Sequence, residues 1–330
     1  MTTKETNETG AGSRTDGRLA VMFGAGPVGT AAALRLREKG VTVRVVTRSG
    51  RIPAELIGKV ESTTADATDR TAVLRTARGA DFIIHCANVP YELWKSVLPP
   101  IQRNLIDAAV ENGALFAASE NLYMYAPPTG PICENSPIDP PTRKGRLRAA
   151  LHDLLPVAQT ERGLKWVTIR ASDYYGPGAA DQSHFGFRFL DPLFKGKKPA
   201  LLGDPEQPHS FAYVDDYGRA IADAALDPSA HNRTWIAPHD RPIIRREFAQ
   251  MFFRAAGKTG KISRIPNVLL STVGFFVPMI REVKEMLYQF EMPFTVDDSE
   301  YRRHFHAEPV PLEEGVRRTI EWYLARDGKY

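Results

Sequence analysis

Cysteine is scarce in this chain: Cys86 and Cys133 are the only two in 330 residues. Two thiols make no disulfide framework and fit a reducing compartment. No apolar run reaches membrane-spanning length. Residues 269–280 are the nearest approach, and they read as a helix over a substrate pocket or at a subunit contact. Like charges are not massed either. The net charge is +4, and Lys and Arg are scattered, which gives no nucleic-acid or membrane footprint and leaves a small-molecule substrate as the expected partner. There is no Gly-x-Ser-x-Gly elbow, so serine-hydrolase chemistry has no nucleophile. His304 and His306 stand near Glu308 without a third ligand at useful helical spacing, so no metal site is expected. Residues 1–17 are polar and lack the apolar core of a signal peptide. They read as a disordered leader, and the expected location is the cytoplasm.

The most informative stretch is Leu19-Ala20-Val21-Met22-Phe23-Gly24-Ala25-Gly26-Pro27-Val28-Gly29-Thr30. An apolar run ends in glycine, two more glycines follow at fixed offsets, and a helix-like segment begins. That is the order strand, phosphate loop, helix. Gly24 suits the tight turn, Gly26 lets the backbone approach a pyrophosphate, and Gly29 lets the helix pack close to the strand. With Pro27 and Val28 they open a helix whose N-terminus offers free N–H groups and a positive dipole to an anion.

Residues 41–47 form a second strand, which completes a βαβ unit. NAD binders usually place an acidic residue about 20 positions beyond the glycines, on the ribose 2′-hydroxyl. Here Arg48 stands there, with Ser49 beside it. A guanidinium suits a 2′-phosphate, so NADP is favoured over NAD. Further strands are expected over residues 59–65, 81–87, 114–119 and 164–170, separated by helices. The helix over 91–111 is expected to break at Pro99-Pro100, and the one from Arg143 to be kinked or divided by Pro156. The proline-rich stretch 127–141 reads as a long structureless loop. Asp215 reads as a helix cap, and the remainder from Arg245 as mostly helical, including 268–289. The alternation makes an α/β protein with a doubly wound parallel sheet.

From about Leu19 onward the chain resembles the extended short-chain dehydrogenase/reductase superfamily, the group that includes nucleotide-sugar epimerases and dehydratases. The marks that carry the resemblance fall in order: the glycine fingerprint, Asp66 after the third strand, His85-Cys86-Ala87, Tyr125-Ala126-Pro127, the acidic loop 131–137, Tyr175-Gly176-Pro177-Gly178, and Phe211-Ala212-Tyr213-Val214-Asp215-Asp216. The resemblance implies a Rossmann-type sheet over 18–172 plus about 205–237, and a smaller, mostly helical C-terminal substrate-binding lobe over 173–204 plus 238–330. It also implies Asp66, Ala67, Ala87, Asn88, Arg148 and Tyr174 around the cofactor, and a homodimer as one possible assembly.

The chain departs from that pattern where chemistry is done. Asn121 replaces the usual Ser, and the best register puts Lys144 and Arg148 where the family has Tyr and Lys; no Tyr-x-x-x-Lys lies between Pro127 and Gly163. Carbonyl reduction still needs a proton donor beside the oxygen. If the strand's period of two persists, Asn121, Tyr123 and Tyr125 share one face. Tyr123 is then the first candidate donor, with Asn121 orienting the oxygen. Lys144 is the second, with its affinity for protons lowered by Arg148, and Tyr174 the third. His184 and His209 lie in or after loops that would border the substrate, and neither is expected to be catalytic. The expected function is an NADP-dependent oxidoreductase, or an epimerase or dehydratase using transient oxidation, on a small carbonyl, hydroxyl or nucleotide-sugar-like substrate. The alternative is a non-catalytic NADP-binding redox sensor or regulator.

Overall fold

Strand β1 (Leu19–Phe23) is buried on both faces, because alternate side chains feed two separate cores. Ala20 and Met22 point to one, Val21 and Phe23 to the other. Such a strand has no polar side and suits the middle of a parallel sheet. The computed structural model describes residues 16–265 and 284–326. The expected leader falls almost wholly outside the described residues, as do residues 269–280 and most of the helix expected over 268–289.

Around β1 lie β2 (Thr42–Thr47), β3 (Glu61–Thr64), β4 (Phe82–His85), β5 (Leu115–Asn121) and β6 (Lys165–Ala171). Four short strands follow, β7 (Tyr174–Tyr175), β8 (Ala200–Leu202), β9 (Pro208–His209) and β10 (Ala212–Tyr213), before β11 (Arg233–Ile236) returns to the main sheet. The order is β11-β6-β5-β4-β1-β2-β3, all parallel. The order reverses between β1 and β4, and a crevice opens outside the carboxyl ends of such a pair.

Helices α1 (Pro27–Glu38) and α6 (Val214–Leu226) cover one face. They touch through small residues: a Cβ added at Gly218 would sit 2.4 Å from Ala31 Cβ. Helices α2 (Arg70–Thr76), α3 (Trp94–Asn112) and α4 (Arg143–Arg162) cover the other. Beyond the sheet, α5 (Phe187–Phe194), α7 (Arg245–Ala255), α8 (Ser299–Phe305) and α9 (Leu312–Arg326) follow. A third core forms there from stacked rings, including Phe185 on Phe252 at 5.2 Å and Phe211 on Phe248 at 4.6 Å.

Several local expectations are corrected. Helix α3 runs through Pro99 and Pro100 without a break. Two ladder hydrogen bonds are lost, but Leu98, Ile101 and Leu105 are buried on the same helix and hold its axis to the sheet. Pro156 likewise does not divide α4. Asp215 is not a cap: Tyr213 is the N-cap, and Asp215 and Asp216 lie in the first turn of α6, where the helix dipole favours them. The stretch 127–141 is not free. Ile132 exchanges backbone hydrogen bonds with Thr295 and Asp297, and Glu134 Oε1 accepts from Ile236 N. The C-terminal part also holds strand pairs, Ser263–Ile265 with β8 and Ile243–Ile244 with β9.

Candidate active site

The glycine turn sits at the carboxyl ends of β1, β2 and β4. Gly24 N donates to Val46 O, and Cys86 N to Phe23 O. Gly24 has φ +105, and an added Cβ would lie 2.6 Å from Ala87 N, so only glycine fits. A Cβ at Gly29 would lie 2.3 Å from Gly24 O, which is why the helix closes so tightly on the turn. Gly26, the N-cap of α1, differs: its missing Cβ faces open space, with only the Gln182 side chain near, at 3.8 Å. The first turn of α1, with Pro27, Val28 and Gly29, leaves orphan N–H groups beside that space. The residues present therefore fit the pyrophosphate of a dinucleotide, an anion at a helix N-terminus with backbone close enough to touch it.

Ala87 and Asn88 leave β4 against this turn. Tyr174 reaches it through a neighbour: its hydroxyl donates to Gln182 Oε1 at 2.9 Å, and Gln182 is the side chain nearest Gly26. At the other end, Arg48 and Ser49 are exposed just beyond β2. Asp66 lies across from them. Its carboxyl is held below the usual range, chiefly by hydrogen bonds from Thr68 and further by the Arg48 guanidinium. Ala67 is buried, and its carbonyl accepts from Asn104 Nδ2.

The expected alternation of Asn121, Tyr123 and Tyr125 does not occur. The strand ends at Asn121, whose Oδ1 accepts from Tyr123 N at 3.2 Å and turns the chain. That bond uses the Asn121 oxygen locally. Tyr125 is carried away into another cluster, where Arg170 donates to its hydroxyl at 2.6 Å and Glu120 accepts from Arg170 at 2.9 Å. Burial alone would raise the Glu120 carboxyl, but His152 and Arg170 outweigh it and hold it down to about 2.

Tyr123 stays at the strand ends and meets a residue the sequence did not single out. Its hydroxyl is 2.7 Å from that of Tyr91, in the turn after β4. Trp94 stacks on Tyr123 and meets Tyr91 edge-on, while the Arg148 guanidinium lies 4.1 Å over Trp94. Arg148 Nε is buried with no hydrogen-bond partner among the described residues. Helix α4 is pressed onto this corner: a Cβ at Gly145 would lie 2.2 Å from Tyr123 O. Lys144 is buried beside Tyr91, its Nζ 5.1 Å from the ring centre. Its Nζ pairs with Glu285 Oε2 at 3.0 Å, and its backbone N–H donates to the same carboxylate. Of the three expected catalytic residues, Tyr123 and Lys144 thus share a corner with Arg148, while the Asn121 oxygen accepts from the Tyr123 backbone.

A second polar group forms at the exit of β6. His209 Nε2 lies 2.9 Å from Asp173 Oδ2 and 3.2 Å from Ser172 Oγ, and His184 Nε2 lies 3.8 Å from Asp173 Oδ1. Burial opposes the Asp173 charge, but His209, His184 and Arg245 outweigh it and keep its carboxyl low. Burial pushes both histidines below their usual value. The available signal for Asp173 is its position in the short exit from β6. His304, one of the two histidines near Glu308, pairs with Asp227 at 2.8 Å. Among the described residues no cluster of three or more His, Cys, Asp or Glu side chains is arranged to hold a metal ion, and no helix is long and apolar enough to cross a membrane.

Comparison with known proteins agrees with this geometry. The chain is 24% identical over 302 residues to the 3beta-hydroxysteroid-dehydrogenase/decarboxylase isoform 2 of Arabidopsis thaliana, covering 80% of this chain and 52% of that protein. It is 26% identical over 210 residues to the UDP-glucuronate 4-epimerase of Thermodesulfobacterium geofontis, covering 60% of this chain and 56% of the relative. The chain thus spans little more than half the length of either. The crystal structure of dTDP-glucose 4,6-dehydratase from Bacillus anthracis in complex with NAD superposes with a TM-score of 0.78 at 14% identity, covering 95% of this chain and 98% of that one. Residues 20–236, from β1 through β11, match the family profile itself, and the chain belongs to the NAD dependent epimerase/dehydratase family.

Proposed function

We propose that the chain is an NADP(H)-dependent oxidoreductase acting on a small carbonyl or secondary hydroxyl, with a proton donor outside the usual helix. The observation that carries the cofactor preference is Arg48, exposed beyond β2 and within electrostatic reach of Asp66. A guanidinium there complements a 2′-phosphate and partly neutralises the nearby carboxylate that would repel it. The glycine turn would hold the pyrophosphate, with Ala87, Asn88 and Tyr174 assigned beside it; Ala87 N lying against Gly24 and the Tyr174 hydroxyl donating to Gln182 support that. When bound, the nicotinamide supplies or accepts a hydride. The chain's part is to orient the substrate over the strand ends and to move a proton at its oxygen. Both curated relatives act on hydroxylated rings by their names, one as a hydroxysteroid dehydrogenase and one as a sugar epimerase. That supports hydroxyl-carbonyl interconversion as the shared step. We assign the substrate to the segments 173–204 and 238–330; among their described residues, Asp173 stands at the exit of β6, where it meets His209.

A second reading, a non-catalytic NADP-binding regulator, is favoured by one observation: Lys144 is ion-paired with Glu285. Consumption of NADPH in the presence of a panel of aldehydes and ketones separates the two. Turnover above the cofactor's own decay supports the enzyme, and tight binding with no consumption supports the regulator. Arg48→Ala tests the cofactor preference. It should weaken NADPH by about 10-fold or more and leave NADH within about 2-fold; equal losses contradict the assignment.

A further inference from the structure

We propose that Tyr91, in the turn between β4 and α3, is the residue that exchanges a proton with the substrate oxygen, with Tyr123 as a second phenol hydrogen-bonded to it. The inference rests on the oxidoreductase reading above. Helix α4 supplies this corner with two cations, Lys144 and Arg148, and no phenol. The phenols come from elsewhere: Tyr91 from the turn after β4 and Tyr123 from the end of β5, with their oxygens 2.7 Å apart. Tyr91 is the nearer of the two in the chain to the glycine turn. It follows Ala87 and Asn88 by a few residues, and β4 pairs directly with β1, whereas β5 is one strand further out.

The pair is not symmetric. Burial raises both phenols, Tyr123 the more strongly. Either hydroxyl can donate in the contact between them, so the shared hydrogen bond does not by itself choose the member that ionises. Arg148 favours ionisation of both, and Asp173 opposes both. Lys144 lies over the Tyr91 ring. With the Lys144 ammonium over its ring and its preceding strand paired directly with β1, Tyr91 is the member assigned to release and regain a proton, and Tyr123 the member that stays protonated and donates. In the direction of reduction, the substrate carbon takes a hydride from a reduced nicotinamide. The carbonyl π pair moves onto oxygen, and that oxygen takes the proton from Tyr91 Oη. The phenolate left behind accepts from Tyr123 Oη–H and is reprotonated from solvent. The sum is carbonyl, reduced nicotinamide and one proton giving alcohol and oxidised nicotinamide.

The test uses the full chain with NADPH and the aldehyde and ketone panel, in the wild type, Tyr91→Phe and Tyr123→Phe. Tyr91→Phe should lower kcat by about 100-fold or more with NADPH affinity within about 3-fold. Tyr123→Phe should cost less, about 10-fold, and move the alkaline limb of the kcat profile upward, because the phenolate loses its donor. A Tyr91→Phe protein within about 3-fold of wild type, or the reverse ranking of the two variants, overturns the assignment. Carbon-13 NMR of ring-labelled tyrosine gives a readout that needs no substrate. The Tyr91 ζ-carbon should titrate before that of Tyr123 and shift to higher pH in Tyr123→Phe; a Tyr91 titration indifferent to that substitution contradicts the pair. A wild-type chain that binds NADPH and reduces nothing brings down the oxidoreductase reading instead, and the NMR arm still decides the pairing.

Discussion

The glycine turn and the phenol corner stand beyond the carboxyl ends of neighbouring strands, β1 for one and β4 and β5 for the other, yet they are built from different material. The turn conforms to its family's pattern because it is built from backbone. A positive φ at Gly24, a Gly29 whose added Cβ would lie 2.3 Å from Gly24 O, and open space at Gly26 have no side-chain substitutes. On the reading proposed above, the corner departs from the family's pattern because a proton donor is a side-chain tip. Any element whose side chains reach the strand ends can deliver one. Here the turn after β4 brings Tyr91 where α4 brings only Lys144 and Arg148. Holding a dinucleotide and using it are thus separable, and each region can be damaged without the other.

The sharpest way to test that separation is within the turn. Gly29→Ala should abolish dinucleotide binding and destabilise the fold by about 1–3 kcal/mol, since the new Cβ meets backbone that cannot yield. Gly26→Ala should leave the melting temperature nearly unchanged, because only the flexible Gln182 side chain is near. It should weaken the cofactor by about 10–100-fold by occupying the approach to the pyrophosphate. Calorimetry and thermal denaturation of both variants check the contrast. Normal binding by Gly26→Ala removes the phosphate assignment.

Beneath both regions, His85 at the end of β4 is buried and held down to about 4 from 6.5, by burial first and by Arg148 next. Above pH 6.5 it is neutral in folded and unfolded chains alike. As pH falls toward 4 the unfolded chain takes a proton that the folded chain refuses, so stability drops by about 3 kcal/mol across that window. His85→Gln should flatten this part of the acid limb in denaturant titrations. An unchanged slope would mean that His85 is protonated normally in the fold.

In the corner, Gly145→Ala should lift the start of α4 from Tyr123 O, costing about 1–2 kcal/mol and lowering turnover while cofactor affinity holds. A matching loss of cofactor affinity would tie the two regions together and break the comparison.

Much of the sheet was legible because buried parallel strands such as β4 read as unbroken apolar runs, and because Gly113 ends α3 with φ +64. What escaped was decided at long range. Pro99 and Pro100 stay helical because neighbours on α3 are packed onto the sheet. Residues 127–141 are fixed by Thr295 and Asp297. Lys144 meets Glu285, 141 positions away. The alternation expected through Tyr125 failed for a local reason, the turn that Asn121 makes with its own side chain. Tyr91 carried no motif, and only its place just past a central strand distinguished it.

The cofactor assignment underlies every functional statement, and it is tested most directly by calorimetric titration of the intact chain with NADPH and with NADH. One saturable site per chain, with NADPH about 10-fold or more tighter, is the predicted result. Binding of neither, or NADH bound as tightly as NADPH, would contradict it.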